Sequence, residues 1–251
     1  MPKETNKTYV DVSKVSLRPV AKQTAKEMIE KYHYSHKFSS TRYALGVFYT
    51  TQDSTGWFEG ETDTLIGVLT YGYPVGRMAA QSISDTIKND EVLELTRLFI
   101  HDGYGSNIES YAIGLSFDWL RKNDKKIKVL ISYADPQAGH LGKIYQSTNW
   151  IYQGNQIKLI DSYFLKLNLD DSPWMHSRTV VSTYGTSSVE SLKKIIGKTF
   201  WLKLDENKHR YLYMLCGRKE KNKILKTLKH PPLPYPKNVM QIEEKIIEVT
   251  V

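Results

Sequence analysis

The chain has 251 residues, of which 40% are hydrophobic, with a net charge of +8 and a pI near 9.2. That is enough apolar material for one large domain, or one domain with an appendage. The lack of any apolar run of about eighteen residues excludes a membrane span, and the single cysteine, Cys216, excludes an internal disulfide framework. The start, MPKETNKTYV, is polar and has no apolar core of a secretory signal, so a cytoplasmic protein is expected. The basic balance favours nucleic acid, anionic cofactors or acidic surfaces as partners. The 17 Tyr and 5 Trp, interleaved with Lys and Arg, suit base stacking as well as a core.

In chain order, Thr8 to Val15 reads as a strand that VSLRPV continues. Ala21, Ala25, Met28, Ile29 and Tyr32 share one face and predict a helix over 21–32. The polar segment HYSHKFSS follows, with His33, Tyr34 and His36. Tyr43–Thr50 and Thr64–Tyr71 read as paired strands, and Val92–Ile100 as another. A glycine-bearing loop, HDGYGSN, leads into an amphipathic helix over 111–120. Ile127–Ile131 is a buried strand that opens onto the central stretch, Ser132 to Trp150. There Asp135 precedes Pro136, the pattern of a helix N-cap followed by a first-turn proline. Leu141, Ile144, Tyr145 and Thr148 recur at helical spacing, and Trp150 with Tyr152 begins a strand. Asp161–Leu169 adds one more strand, and 170–186 is turn-rich. Ser187–Ile196 reads as a helix, and Thr199–Leu204 and Tyr211–Leu215 as strands around the turn DENKH. Arg218–Lys229 is strongly basic, and PPLPYPK is an extended tail.

Chemistry concentrates at the end of the Ile127–Ile131 strand. Ser132, Tyr133, Asp135, His140 and Tyr145 crowd where open α/β sheets place ligands. Asp135 is a helix cap, or a carboxylate able to bind a metal or accept a proton. Arg97 lies in the apolar strand LELTRLFI, and a buried arginine needs a partner. Glu94 stands three residues away and so faces the other side of a strand. Arg97 is therefore expected to face a site and to clamp a phosphate or an acyl carbonyl. Tyr71 is a candidate for orienting substrate. Gly103, Gly105, Ser106 and Asn107 form either a pyrophosphate cradle before a helix or a simple tight turn. Lys208, Arg210, Arg218 and Lys219, near Trp201 and Tyr211, are candidate contacts to a DNA backbone.

Several separated motifs occur in a familiar order: the His33-Tyr34 pair, ELTRLF around Arg97, SYADPQAGHLGKIYQSTNW over 132–150, then KHRYLY and LPYPK. In these the chain resembles the Mom-like proteins of bacteriophages, which modify adenine in DNA. Its element order resembles the acetyltransferase-like fold of the GNAT type. The fold class expected is α/β (α+β): a GNAT-like mixed β-sheet with helices on both faces over 1–170, and a basic C-terminal extension over 171–251 that contacts DNA.

The resemblance implies an enzyme that adds a carbamoylmethyl (acetamido) group to adenine N6 in double-stranded DNA. This would shield phage DNA from restriction in the cytoplasm of the bacterial host. It implies Tyr145 as general acid and a functional role for Asp135, while Ser132, a polar residue at the strand end, is a candidate hydrogen-bond donor by its own position. It also implies iron held by His33, Tyr34 and Asp135, and acetyl-CoA or another two-carbon donor. The product joins nitrogen to a methylene carbon, not to a carbonyl, which is why a redox metal enters the expectation. Two other readings stand beside it. One is a conventional GNAT acyltransferase that uses acetyl-CoA on a small-molecule or protein amine. The other is a DNA-binding protein whose salt-sensitive binding survives loss of Asp135 and Arg97.

Overall fold

The structure, a computed structural model, describes residues 9–55, 58–76, 78–155, 163–204, 208–238 and 246–250. The chain forms two compact units: Met1–Tyr133 with Gly142–Gln153 and Arg210–Tyr235, and Ala134–Leu141 with Gly154–His209 and Pro236–Val251.

The first unit opens with β1 (Val15–Pro19) and α1 (Lys22–Tyr32), then the long hairpin β2 (Tyr43–Thr55) and β3 (Phe58–Gly72). Strand β4 (Val92–Ile100), α2 (Ile108–Asn123) and β5 (Val129–Ala134) follow, then the short α3 (Lys143–Ser147) and β6 (Ile151–Tyr152). The chain returns through β10 (His209–Met214) and α6 (Arg218–Lys226). Among the described residues these strands make a seven-stranded sheet in the order β1-β2-β3-β4-β5-β10-β6, with β4 and β5 parallel. Helix α1 buries Ala25 and Ile29, four residues apart, against Ala44 and Val68 on one face of the sheet. Helix α2 covers the other face, where its Ser116 meets the Tyr71 hydroxyl. Ile224 anchors the otherwise charged α6 in a cluster with Val92, Val129, Ile131 and Leu212. The expected mixed sheet with helices on both faces is therefore present. The proline-rich tail runs extended along β6: the Leu233 N–H donates to the Tyr152 carbonyl at 2.8 Å, and the Tyr235 hydroxyl to the Trp150 carbonyl at 2.6 Å.

The second unit holds β7 (Tyr163–Lys166), β8 (Met175–His176), α4 (Ser177–Tyr184), α5 (Val189–Ile196), β9 (Phe200–Leu204) and β11 (Ile246–Val249). Its described strands form a four-stranded sheet, β11-β9-β7-β8. Alternate residues Tyr163, Leu165, Phe200 and Leu202 face inward with Val180 of α4 and Leu192 of α5.

Several expectations are corrected, among them the first strand, which begins at Val15 because Val12–Lys14 form a 3₁₀ turn capped by Asp11. A division at residue 170 does not describe the chain, because 154–209 form most of the second unit while 210–235 rejoin the first. The two strands on either side of DENKH are not partners: β9 pairs with β7 and β11, and β10 lies between β5 and β6. Residues 205–207 of that turn, and Asp161 of the expected strand, lie outside the described residues. The turn-rich segment contains α4, whose Ser, Thr and Val residues are weak helix formers. It is closed at one end by the His176 ring, which accepts from the Arg178 N–H, and at the other by Gly185 at φ 74°. No helix among the described residues is long and apolar enough to cross a membrane.

Candidate active site

Strands β4 and β5 pair through Val92–Glu94 and Val129–Ile131 and separate beyond that point. The separation leaves a fork in the middle of the sheet, at the carboxyl ends of two parallel strands. A bulge in β4 shapes its rim. Thr70 pairs with Arg97 and Gly72 with Glu94, with the register shifting between Thr70 and Tyr71. Thr70 and Gly72 share a face of β3, so the extra residue in β4 brings Glu94 and Arg97 to one face as well. The expectation that they face opposite sides is thereby corrected. Arg97 is also tethered: its Nε donates to the Lys37 carbonyl at 2.8 Å and its Nη1 to the Thr96 carbonyl at 2.6 Å. The first of these bonds ties Lys37 to β4.

Two hydroxyls fill the root of the fork. Ser132 Oγ lies 2.9 Å from the Leu95 carbonyl and 2.8 Å from the Tyr145 hydroxyl, and both residues are buried. Ser132 has a single hydroxyl proton, and the Leu95 oxygen can only accept. With that proton on Leu95, Tyr145 donates to Ser132. With it turned to Tyr145, the phenol proton is released towards a third group. The Tyr145 ring packs against Trp150 and Tyr211, each with centroids 5.1 Å away. Burial in this aromatic cluster pushes its hydroxyl up to about 12, with the Ser132 hydrogen bond pulling back and Tyr34, Glu94 and Arg97 all felt there. Tyr133 is likewise pushed up to about 12 by burial. Both phenols are therefore neutral acids at neutral pH.

The sign of this shift sets an alkaline limit. A phenol with a raised folded pKa leaves stability intact below its ordinary value of about 10 and weakens it as pH rises through the folded value. Thermal midpoints should hold steady from about pH 7 to 9 and fall between about 10 and 12. The last part of the tyrosinate absorbance should appear together with unfolding; complete ionisation of all the tyrosines in the folded protein would contradict the burial.

Gly142 places Tyr145. It starts α3 at φ 71°, and an added Cβ would stand 2.5 Å from the Tyr211 ring. Gly142→Ala should cost about 1–3 kcal/mol in chemical denaturation; an unchanged midpoint would show that the turn relaxes.

The other expected site residues fall in different places. Tyr71 is fully buried, and its hydroxyl is 2.6 Å from Ser116, whose own hydroxyl donates to the Ile113 carbonyl. It is thus held in the packing between β3 and α2. Asp135 belongs to the second unit, where its carbonyl accepts from the Ala138 and His140 N–H groups and its carboxylate lies 3.3 Å from Lys208 Nζ. His33 stacks on Tyr34 at 4.3 Å, and its Nδ1 accepts from the Ser35 N–H at 3.1 Å. Among the described residues no group of three or more His, Cys, Asp or Glu side chains could hold a metal ion. An ammonium beside Asp135 also disfavours a cation there. Nothing among the described residues supports the expected iron.

The HDGYGSN loop is crossed by the N-terminal segment. The Val10 N–H donates to the Ser106 carbonyl at 3.2 Å, and a Cβ on Gly105 would lie 2.6 Å from Val10 N. Gly103 and Gly105 have φ of 99° and 102°, a turn that suits glycine. Ser106 and Asn107 line a cleft of about 460 Å³ together with Tyr9, Ser110 and Ser147, beside the N-terminus of α2, which has no side-chain cap. Of the expected DNA contacts, Lys208, Arg218 and Lys219 are exposed, while Arg210 is only 1% exposed. Arg210 is therefore not a surface contact. Glu94, read from sequence only as a possible ion-pair partner, is the acid at the fork.

The solved structures that the chain resembles include Arabidopsis thaliana NAA60 in complex with acetyl-CoA, with 10% identity, coverage of 80% of this chain and 99% of that one, and a TM-score of 0.43. Another is the acetyltransferase of the GNAT family from Streptococcus pneumoniae, with 7% identity, coverage of 80% and 99%, and a TM-score of 0.39. A relative from Escherichia phage Mu, Methylcarbamoylase mom, is 27% identical over 219 residues, 84% of this chain and 79% of its own length. The model of the Mom protein family matches residues 14–237. With most of its length matched in this way, the chain belongs to the Mom protein family.

Proposed function

We propose that this chain is a phage-type DNA-modifying transferase that places a carbamoylmethyl group on adenine N6 in double-stranded DNA and so protects it from restriction. The observation that carries the reading is the Ser132–Tyr145 hydroxyl pair at the fork, within electrostatic reach of Glu94. An exocyclic adenine amine is a poor nucleophile and must lose a proton as its C–N bond forms. Glu94 takes that proton. Tyr145, a neutral acid, gives one to the group that leaves the donor, while Ser132 donates to the phenol oxygen. A two-carbon donor with its leaving group on the methylene carbon lets these two transfers complete the reaction without oxidation. No step here passes through iron.

The cleft at Ser106 and Asn107 is assigned to the anionic end of the donor, because the uncapped N-terminus of α2 presents backbone N–H groups there; acetyl-CoA, with its leaving group on the carbonyl carbon, serves the second reading below. Arg218 and Lys219 stand in the first turn of α6, where cations oppose the helix dipole. Their charge there serves a partner better than it serves the helix, and we assign them to the DNA backbone. Replacing both by Ala should reduce the slope of log affinity against log salt by about 2; an unchanged slope in a filter-binding titration would remove them from the interface. The reading itself is tested by restriction. Plasmid from cells expressing the chain should resist endonucleases with adenine in their sites, and cleavage equal to that of vector-only plasmid would contradict it.

A second reading, acetyl transfer to a small-molecule or protein amine, draws on the same hydroxyl pair. It predicts tight acetyl-CoA binding with no effect on DNA.

A further inference from the structure

Arg210 is the second residue of β10, and its side chain shares a face with Leu212 and Met214. Those two pack with Ala80, Ile83, Val92, Val129 and Ile131 in an apolar cluster. A guanidinium therefore sits at the end of a hydrophobic strip. It is 1% exposed, and its Nη2 donates to Ser82 Oγ at 2.9 Å. Its Nε and Nη1 are sealed from solvent and have no hydrogen-bond partner among the described residues. The groups that sense its charge are the Tyr133 phenol and the His230 imidazole. Burial pushes Tyr133 up and His230 down, so both are neutral at neutral pH.

A buried cation with two unmet donors is a large cost to a fold. Methionine or leucine would fill the same strip without it. A guanidinium has only donors and cannot shed its proton, so the group that satisfies it is an acceptor, and its planar fork favours an oxyanion. Its position says which side of the centre is served. Glu94 pairs with Ile131 on adjacent strands, and Tyr133 lies two residues further on β5, so all three share a face. The Glu94 charge is felt at Tyr133, and the Tyr133 phenol is felt at Arg210.

We infer that Arg210 anchors an oxyanion-binding subsite on the Glu94 side of the fork, with Ser82 orienting its guanidinium. The ligand chemistry is a phosphate or a carboxylate. It comes either from the nucleotide that carries the acceptor amine or from the donor. The inference rests on the fork being the group-transfer centre, but its test does not require turnover.

The full chain, Arg210→Met and Arg210→Lys are titrated calorimetrically at constant ionic strength with inorganic phosphate, dAMP, deoxyadenosine and acetate. Thermal midpoints are recorded without ligand. The subsite predicts that Arg210→Met loses roughly tenfold or more in affinity for at least one oxyanion. It also predicts that this variant melts roughly 2–4 °C higher than wild type, because an unpaired buried charge is gone. Arg210→Lys should keep part of the affinity. A preference for dAMP over deoxyadenosine that vanishes in Arg210→Met assigns the subsite to the nucleotide; an Arg210-dependent preference for acetate assigns it to the donor. The inference is overturned if Arg210→Met binds all four probes as wild type does. If Arg210→Met fails to fold, wild-type phosphate and acetate affinity in Arg210→Lys overturns it instead. Arg210-dependent binding in a protein that leaves DNA unmodified would keep the subsite and retire the proposed reaction.

Discussion

Tyr145→Phe should lower adenine modification by about 10²- to 10⁴-fold, the usual worth of a positioned acid. The change removes one oxygen and leaves the ring among Trp150 and Tyr211. Ser132 retains the Leu95 carbonyl as its acceptor, so no buried donor is orphaned. The stability cost should therefore stay near 1 kcal/mol. The contrast is Tyr71→Phe, a chemically identical change in a residue that is also buried. There Ser116 keeps the Ile113 carbonyl as its acceptor, so the cost should again stay at about 1 kcal/mol, while modification should remain within about twofold of wild type because the Tyr71 hydroxyl, although coupled to Tyr145, is fully buried against Ser116. Modified deoxyadenosine and thermal midpoints, measured on both variants, separate the two roles. Equal activity losses would mean that neither hydroxyl acts directly.

Glu94→Gln carries the second large effect. Glutamine keeps the shape of the side chain but cannot take a proton at neutral pH. Modification should fall by about 10²-fold or more, with the apparent KM for DNA unchanged, because the interaction lost is made in the transition state. A variant that keeps its rate, or that raises KM at constant kcat, would make Glu94 a binding or structural residue. Its place is physically suited to the task. It occupies the last paired position of β4 before the fork, and its charge reaches both the Tyr133 and Tyr145 hydroxyls.

Much of the sheet was legible because its strands and helices keep their periods. The β4 boundaries match their expected limits, and α1 shows the one-face spacing of Ala25 and Ile29. The β4 bulge was not legible. One extra residue changes the facing of Glu94 and Arg97, yet a bulge is set by the partner strand and leaves no local mark in LELTRLFI. The same limit applies to β9 and β10. They are adjacent and apolar with a polar turn between them, which reads as a hairpin, but each finds its partners far away in sequence. Arg210 was misplaced because it stands among basic residues beside a polar turn, which reads as a solvated face, whereas β10 runs inside the sheet with nearly every residue buried. At the site, Ser132 and Tyr145 were visible through their motif, and the fork now gives them a shared hydrogen bond. Asp135 drew attention as a cap before Pro136 and through the family motif, and its carboxylate is found beside Lys208.

The most direct measurement is nucleoside mass spectrometry on DNA from cells expressing the wild-type chain, beside cells expressing Tyr145→Phe at equal soluble level. The account predicts deoxyadenosine heavier by one carbamoylmethyl group in the first sample and its loss in the second. Unmodified deoxyadenosine in both samples, or the same modified nucleoside at equal abundance in both, would contradict it.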